Sequence, residues 1–121
     1  MKLQLNRVII FTHQMARMTE FYRDQLGLKA LIDPEYDASD WIEFDSGATR
    51  IALHKGHGSV GKRGAKTCAH KLVFYAKNVA KARAALLKKK VKMGDVKKFG
   101  TLVLCDGTDP DGNKIQVSSR V

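Results

Sequence analysis

Apolar residues recur along this chain with two alternating periods, and the same succession comes round twice. Leu5–Phe11 is a Val- and Ile-rich run with strand character. Met15, Met18, Phe21, Tyr22 and Leu26 then fall at three- and four-residue steps, which predicts a helix with one apolar face, stopped by Gly27. Leu28–Ile32 predicts a second strand and Asp33–Asp40 a polar loop. Trp41–Phe44 and Arg50–His54 predict two more strands, joined by Asp45-Ser46-Gly47. Lys55–Ala69 is rich in Gly and Lys, has no apolar period, and reads as a linker. The pattern then restarts. Lys71–Ala76 predicts a strand, Val79, Ala82 and Leu86 mark a helix running into Lys88-Lys89-Lys90, and Val91–Met93 predicts a short strand. Thr101–Cys105 and Lys114–Ser118 predict strands around the turn Asp109–Asn113.

The two halves match by number. Val8 and Leu72, Ile10 and Phe74, Phe11 and Tyr75, Met15 and Val79, and Tyr22 and Leu86 are 64 residues apart. The same offset links Asp45 to Asp109, Ile51 to Ile115 and Leu53 to Val117. An offset that runs ungapped through strand, helix and hairpin predicts a tandem repeat of one βαβββ module. The expected organisation is α+β, with module one over 1–55, a linker over 56–69 and module two over 70–121.

Composition narrows the function. The chain has 121 residues, 44% apolar and 28% charged, the profile of one globular domain. Its formal charge is +10, from 22 Lys and Arg against 12 Asp and Glu. From Lys55 to Lys98 the only acidic residue is Asp95. A polyanion such as nucleic acid, held on the Lys81–Lys98 face, is one reading. Lys outnumbers Arg there and no aromatic residues interleave, so a solvated helix face is the preferred one. Cys68 and Cys105 have neither a CxxC nor a zinc spacing and suit two free thiols in a reducing compartment. The N-terminus lacks a small-residue cleavage site, and no apolar run reaches the roughly 18 residues of a membrane helix. The expectation is a cytoplasmic protein off the membrane. Gly56–Lys62 fits GxxxxGK, but Arg63 and Gly64 follow where a phosphate loop needs Ser or Thr, so it reads as linker.

Three segments carry a family resemblance: RVIIFTHQMARMTEFYRDQLGL (Arg7–Leu28), KLVFYAKNVAKARAALLKKKV from Lys71, and DPDGNKIQV from Asp109. The chain resembles the glyoxalase/bleomycin resistance/extradiol dioxygenase superfamily, the vicinal oxygen chelate proteins, over nearly its whole length. The resemblance implies paired βαβββ modules forming an open, barrel-like sheet around a cleft, with helices outside. It also implies a homodimer. That fold hosts lyases, dioxygenases, epimerases and drug-binding proteins, so it specifies function poorly.

Strand alternation sorts the side chains by face. Arg7, Ile9 and Phe11 share a face, as do Lys71, Val73 and Tyr75 at the repeated positions. Charge at the same place in both copies argues that this face looks away from the helices. Arg50, Ala52 and His54, and Lys114, Gln116 and Ser118, join it; Ile51, Leu53, Ile115 and Val117 pack under the helices.

The resemblance also locates the metal positions. Metal-using members place His, Glu or Gln on the first and last strand of each module, and the motifs align those positions with Arg7, Ala52, Lys71 and Gln116. Only Gln116 offers a donor, and cations at Arg7 and Lys71 repel a metal ion. No metal and no cofactor are expected; a shifted divalent site using His54 and Gln116 is the alternative, with lyase or ring-cleaving dioxygenase chemistry. For acid–base work the candidates are His54, Glu43 and Tyr75. The leading expectation is a small-molecule-binding protein. Arg7, Lys71 and Gln116 would orient an anionic ligand, flanked by Ile9, Phe11, Trp41, His54, Val73 and Tyr75.

Overall fold

The computed structural model describes residues 1–56 and 69–121. The chain divides into two units, Met1–Lys62 and Arg63–Val121. Most of the expected linker, residues 57–68, lies outside the described residues, as do Cys68 and most of the GxxxxGK stretch.

In the first unit, β1 (Arg7–Thr12) leads into α1 (Met15–Glu20), which continues as a π-helical turn over Phe21–Gln25. β2 (Lys29–Leu31), β3 (Trp41–Asp45) and β4 (Arg50–Lys55) complete it. The sheet order is β1-β4-β3-β2, with β1 and β4 parallel and the other pairs antiparallel. The second unit repeats the plan. β5 (Lys71–Tyr75), α2 (Val79–Lys88), β6 (Lys97–Phe99), β7 (Leu102–Thr108) and β8 (Lys114–Ser118) give the order β5-β8-β7-β6, again with one parallel pair. The fold is therefore α+β: among the described residues there are two four-stranded sheets, each with one helix, and no closed barrel.

Helix α1 is held by what it buries. Met15, Met18, Phe21 and Tyr22 are buried, as are Ile42, Phe44, Ile51 and Leu53 on the sheet. The Tyr22 and Phe44 rings lie 6.1 Å apart. Each large side chain so buried contributes roughly 1.5–3 kcal/mol. The π-helical turn brings Phe21 as well as Tyr22 into the core. Gly27, at φ +78°, takes the left-handed turn that ends the helix. Helix α2 is capped at its start, where Asn78 Oδ1 accepts from the Lys81 amide at 3.0 Å, but Val79 is its only buried residue.

Two expectations are corrected. Val91–Met93 is not a strand; Val91 and Met93 are buried, and Met93 makes a single bridge to Gly107. Gly107 permits this, since a Cβ there would stand 2.4 Å from Met93 Sδ and 2.5 Å from the Lys92 carbonyl oxygen. The strand in that place is Lys97–Phe99, exposed throughout and therefore without an apolar signature. The repeat is also not ungapped. The offset is 64 for β1 to β5 and β4 to β8, but register sets Glu43 against Ala52 and Asp106 against Gln116, an offset of 63 for β3 to β7. The β7–β8 turn carries one more residue than the β3–β4 turn, so Thr108, not Asp109, stands where Asp45 does.

Candidate functional site

Alternation leaves one face of each sheet open, opposite its helix. On the first sheet, register places Arg7, Arg50, Asp45 and Lys29 in one row, and Ile9, Ala52, Glu43 and Leu31 in the next. Phe11, His54 and Trp41 form a third. Five of the predicted ligand contacts, Arg7, Ile9, Phe11, Trp41 and His54, thus share a face with the acid–base candidate Glu43. Ile51 and Leu53 are buried on the helix side, as alternation requires.

The third row is aromatic. His54 stands between Phe11 and Trp41, with ring centroids 5.6 Å and 5.3 Å away. Tyr36 extends the row, 6.3 Å from Trp41. These separations are those of paired aromatic rings. Tyr36 comes from the Asp33–Asp40 loop, which is pinned by turns: Asp33 Oδ1 accepts from the Glu35 amide and Asp37 Oδ1 from the Ser39 amide. It was not among the sequence candidates; a lone Tyr in a polar loop gives no period to read. Phe11 and Ile9 remain 39% and 44% exposed, so the face offers apolar surface to a partner molecule.

The first row is charged. Arg7 Nε donates to Glu43 Oε1 at 2.5 Å, and Arg50 Nη1 lies 3.9 Å from the same oxygen, beyond hydrogen-bond reach. Arg7 is therefore already partnered, and Arg50 is the looser cation. Asn6, Arg7, Leu31, Asp45, Gly47, Ala48 and Arg50 line a depression of about 500 Å³ at this end of the sheet.

On the second sheet the rows are Lys71, Lys114 and Thr108; then Val73, Gln116 and Asp106; then Tyr75, Ser118, Leu104 and Lys97. The remaining predicted contacts, Lys71, Val73, Tyr75 and Gln116, lie together here. Val73 and Tyr75 are exposed, while Ile115 and Val117 are buried behind them. Asp106 organises the centre: its Oδ1 accepts from Lys71 Nζ at 3.0 Å and from Gln116 Nε2 at 2.9 Å. Burial pushes the Asp106 carboxyl up, but the hydrogen bonds from Gln116 and Lys71 and the charges of Lys71 and Lys97 outweigh it. The group is held below the usual carboxylate range. Asp106 is the residue that sequence reasoning missed. Allowing one extra residue in the Asp109–Asn113 turn aligns it with Glu43.

The model of the glyoxalase/bleomycin resistance protein/dioxygenase superfamily matches residues 4–117. The chain belongs to that superfamily. Solved structures of similar fold include a lactoylglutathione lyase from Agrobacterium tumefaciens, at 17% identity over 95% of this chain and 92% of that one, with a TM-score of 0.71. A glyoxalase/dioxygenase from Nostoc punctiforme matches at 20% identity over 95% and 89%, TM-score 0.77. TnmS3, an antibiotic binding protein from Streptomyces sp. CB03234, matches at 18% over 96% and 94%, TM-score 0.77. At these identities the likeness is one of fold. No curated protein matches the chain.

At the four positions where the resemblance would place metal ligands, the donor set does not fit a metal. Arg7 has no lone pair to give and donates to Glu43. Ala52 has no donor atom. Lys71 is bound through its ammonium to Asp106, and Gln116 turns its amide nitrogen to the same carboxylate. Only the Gln116 carbonyl oxygen remains as a ligand, far short of the three protein ligands of an open catalytic site. Among the described residues no group of three or more His, Cys, Asp or Glu gathers to hold an ion. Among them, too, no helix is long and apolar enough to cross a membrane.

Proposed function

We propose that this superfamily member binds a small, flat, anionic molecule without a metal, on the open face of its first sheet. The observation that carries the reading is the aromatic row Phe11–His54–Trp41–Tyr36 on the same face as a charged row in which Arg50 is only loosely held, with the Ile9–Ala52–Glu43 row between them. Ring faces supply stacking area for a planar ligand. Arg50, with Arg7 behind it, supplies a planar guanidinium to an acidic group. Ile9, Phe11, Trp41 and His54 flank the ligand. A binding role has a parallel in TnmS3, which is an antibiotic binding protein. Glu43 is already committed to Arg7, which speaks against it as a general base.

The test is a thermal-shift screen of planar aromatic acids, run with EDTA in every well. A ligand at one hundred times its Kd stabilises by about 2.7 kcal/mol. Hits should persist in EDTA and should fade in Trp41→Ala and Arg50→Ala. Hits that need an added divalent metal, or that ignore both substitutions, would sink the proposal.

A further inference from the structure

The second sheet carries a charge arrangement that the proposed ligand on the first does not use. Lys71 and Lys114 are direct cross-strand neighbours on the open face, and Thr108 follows in the same row. Like charges so placed are unfavourable unless something answers them. Asp106 answers Lys71, at 3.0 Å. Lys114 enters none of the ion pairs among the described residues. The equivalent row of the first sheet has Arg7 and Arg50 at the cationic positions, but there Asp45 stands opposite Arg50. In the second sheet the place of that carboxylate is taken by the neutral Thr108. The row therefore holds two cations and borrows one carboxylate from the row beside it.

Space accompanies the charge. Lys71, Asp106, Gly107, Thr108 and Lys114 line a depression of about 360 Å³. Such a volume admits a small acid with some of its water, near the lower end of ordinary ligand pockets.

We infer that this depression is a binding site for a small oxyanion, a carboxylate or a phosphate, bridged between the Lys71 and Lys114 ammonium groups with the Thr108 hydroxyl as a third donor. Two ammonium groups and a hydroxyl offer several hydrogen bonds to an anion with more than one oxygen. Asp106 fixes Lys71 in place and keeps the site from being purely cationic, so a singly charged or small doubly charged anion suits it better than a polyanion. The site lies wholly on the second sheet, and its occupancy does not depend on the aromatic face of the first.

The experiment is an NMR titration of the 15N-labelled full chain at low salt with sodium acetate and, separately, inorganic phosphate. The expected result is saturable movement of the Thr108, Lys114 and Gly107 amides by at least one anion. Lys114→Met should weaken it about tenfold or more, the loss of one charge-assisted contact. Lys114→Arg should restore it, Trp41→Ala should leave it intact, and the exposed control Lys98→Met should behave as wild type. A response to acetate alone marks a carboxylate site, and one to phosphate alone a phosphate site; either supports the assignment. It is overturned if neither anion saturates, if Lys114→Met binds as well as wild type, or if Lys98→Met weakens binding equally, which would mean diffuse surface charge. Loss of planar-acid binding with this titration intact would count against the proposed function and not against this site.

Discussion

The two modules share a topology and differ in what they fill it with. The first packs Met15, Met18, Phe21 and Tyr22 of its helix onto the sheet, whereas the second buries only Val79 of α2 and leaves Leu86 half-covered. The contrast continues in the strands. Phe44, fully buried in the first sheet, has Gly107 as its counterpart, with Met93 laid over it. On the open faces, the row Phe11–His54–Trp41 becomes Tyr75–Ser118–Leu104, while the row Arg7–Arg50–Asp45 becomes Lys71–Lys114–Thr108. The first face sets three rings across its third row and places Asp45 and Glu43 among its cations; the second has Tyr75 as the one ring of that row and Asp106 as the carboxylate beside Lys71 and Lys114. A repeat thus preserves backbone pairing while its faces take on separate chemistry.

The largest expected effects test the packing side of this contrast. Phe44→Ala should cost about 3–5 kcal/mol in urea unfolding, the range for a fully buried aromatic. Leu86→Ala, from the thinly packed helix, should cost roughly 1 kcal/mol, since much of its surface already meets water. Equal costs would break the comparison. Next comes Gly107→Ala. The new methyl meets the flexible Met93 side chain but also the Lys92 backbone, so a loss of roughly 1–3 kcal/mol is expected. Its midpoint shift should vanish only if the 92–94 segment moves, which hydrogen exchange at Gly94, whose amide donates to the Asp106 carbonyl, would register.

The smallest effect sharpens the charge difference. The folded Asp106 carboxyl sits below its ordinary value of about 3.9, so its contribution to stability is present above that pH and is lost as pH falls through the folded value. Asp106→Asn should flatten the acid limb of the stability curve by less than about 1 kcal/mol, because the pair is part-exposed and screened. A steeper acid limb in the variant would contradict the assignment.

Much of this was legible in the sequence. Period-two alternation placed Ile51, Leu53, Ile115 and Val117 behind the sheets, and the helical period found Met15, Met18 and Tyr22. What escaped did so for physical reasons. Lys97–Phe99 is an exposed edge strand, held by backbone pairing to β7, and no apolar pattern announces it. Arg7 reaches past its own row to Glu43, a diagonal contact that alternation alone does not specify. Asp106 was hidden by one inserted turn residue, which shifted β7 against the otherwise constant offset. The Phe11–His54–Trp41 cluster needed register as well as alternation, because its three residues come from three strands.

On the proposed reading, a planar acid meets the ringed face of the first module and needs no metal there. Trp41 is the chain's single tryptophan and lies against His54, so its fluorescence reports on that face directly. Titrating planar aromatic acids into EDTA-treated protein should change Trp41 emission saturably, with His54→Ala weakening the response and added divalent metal leaving it unchanged. Emission that stays constant across the panel until a divalent metal is supplied would contradict the account.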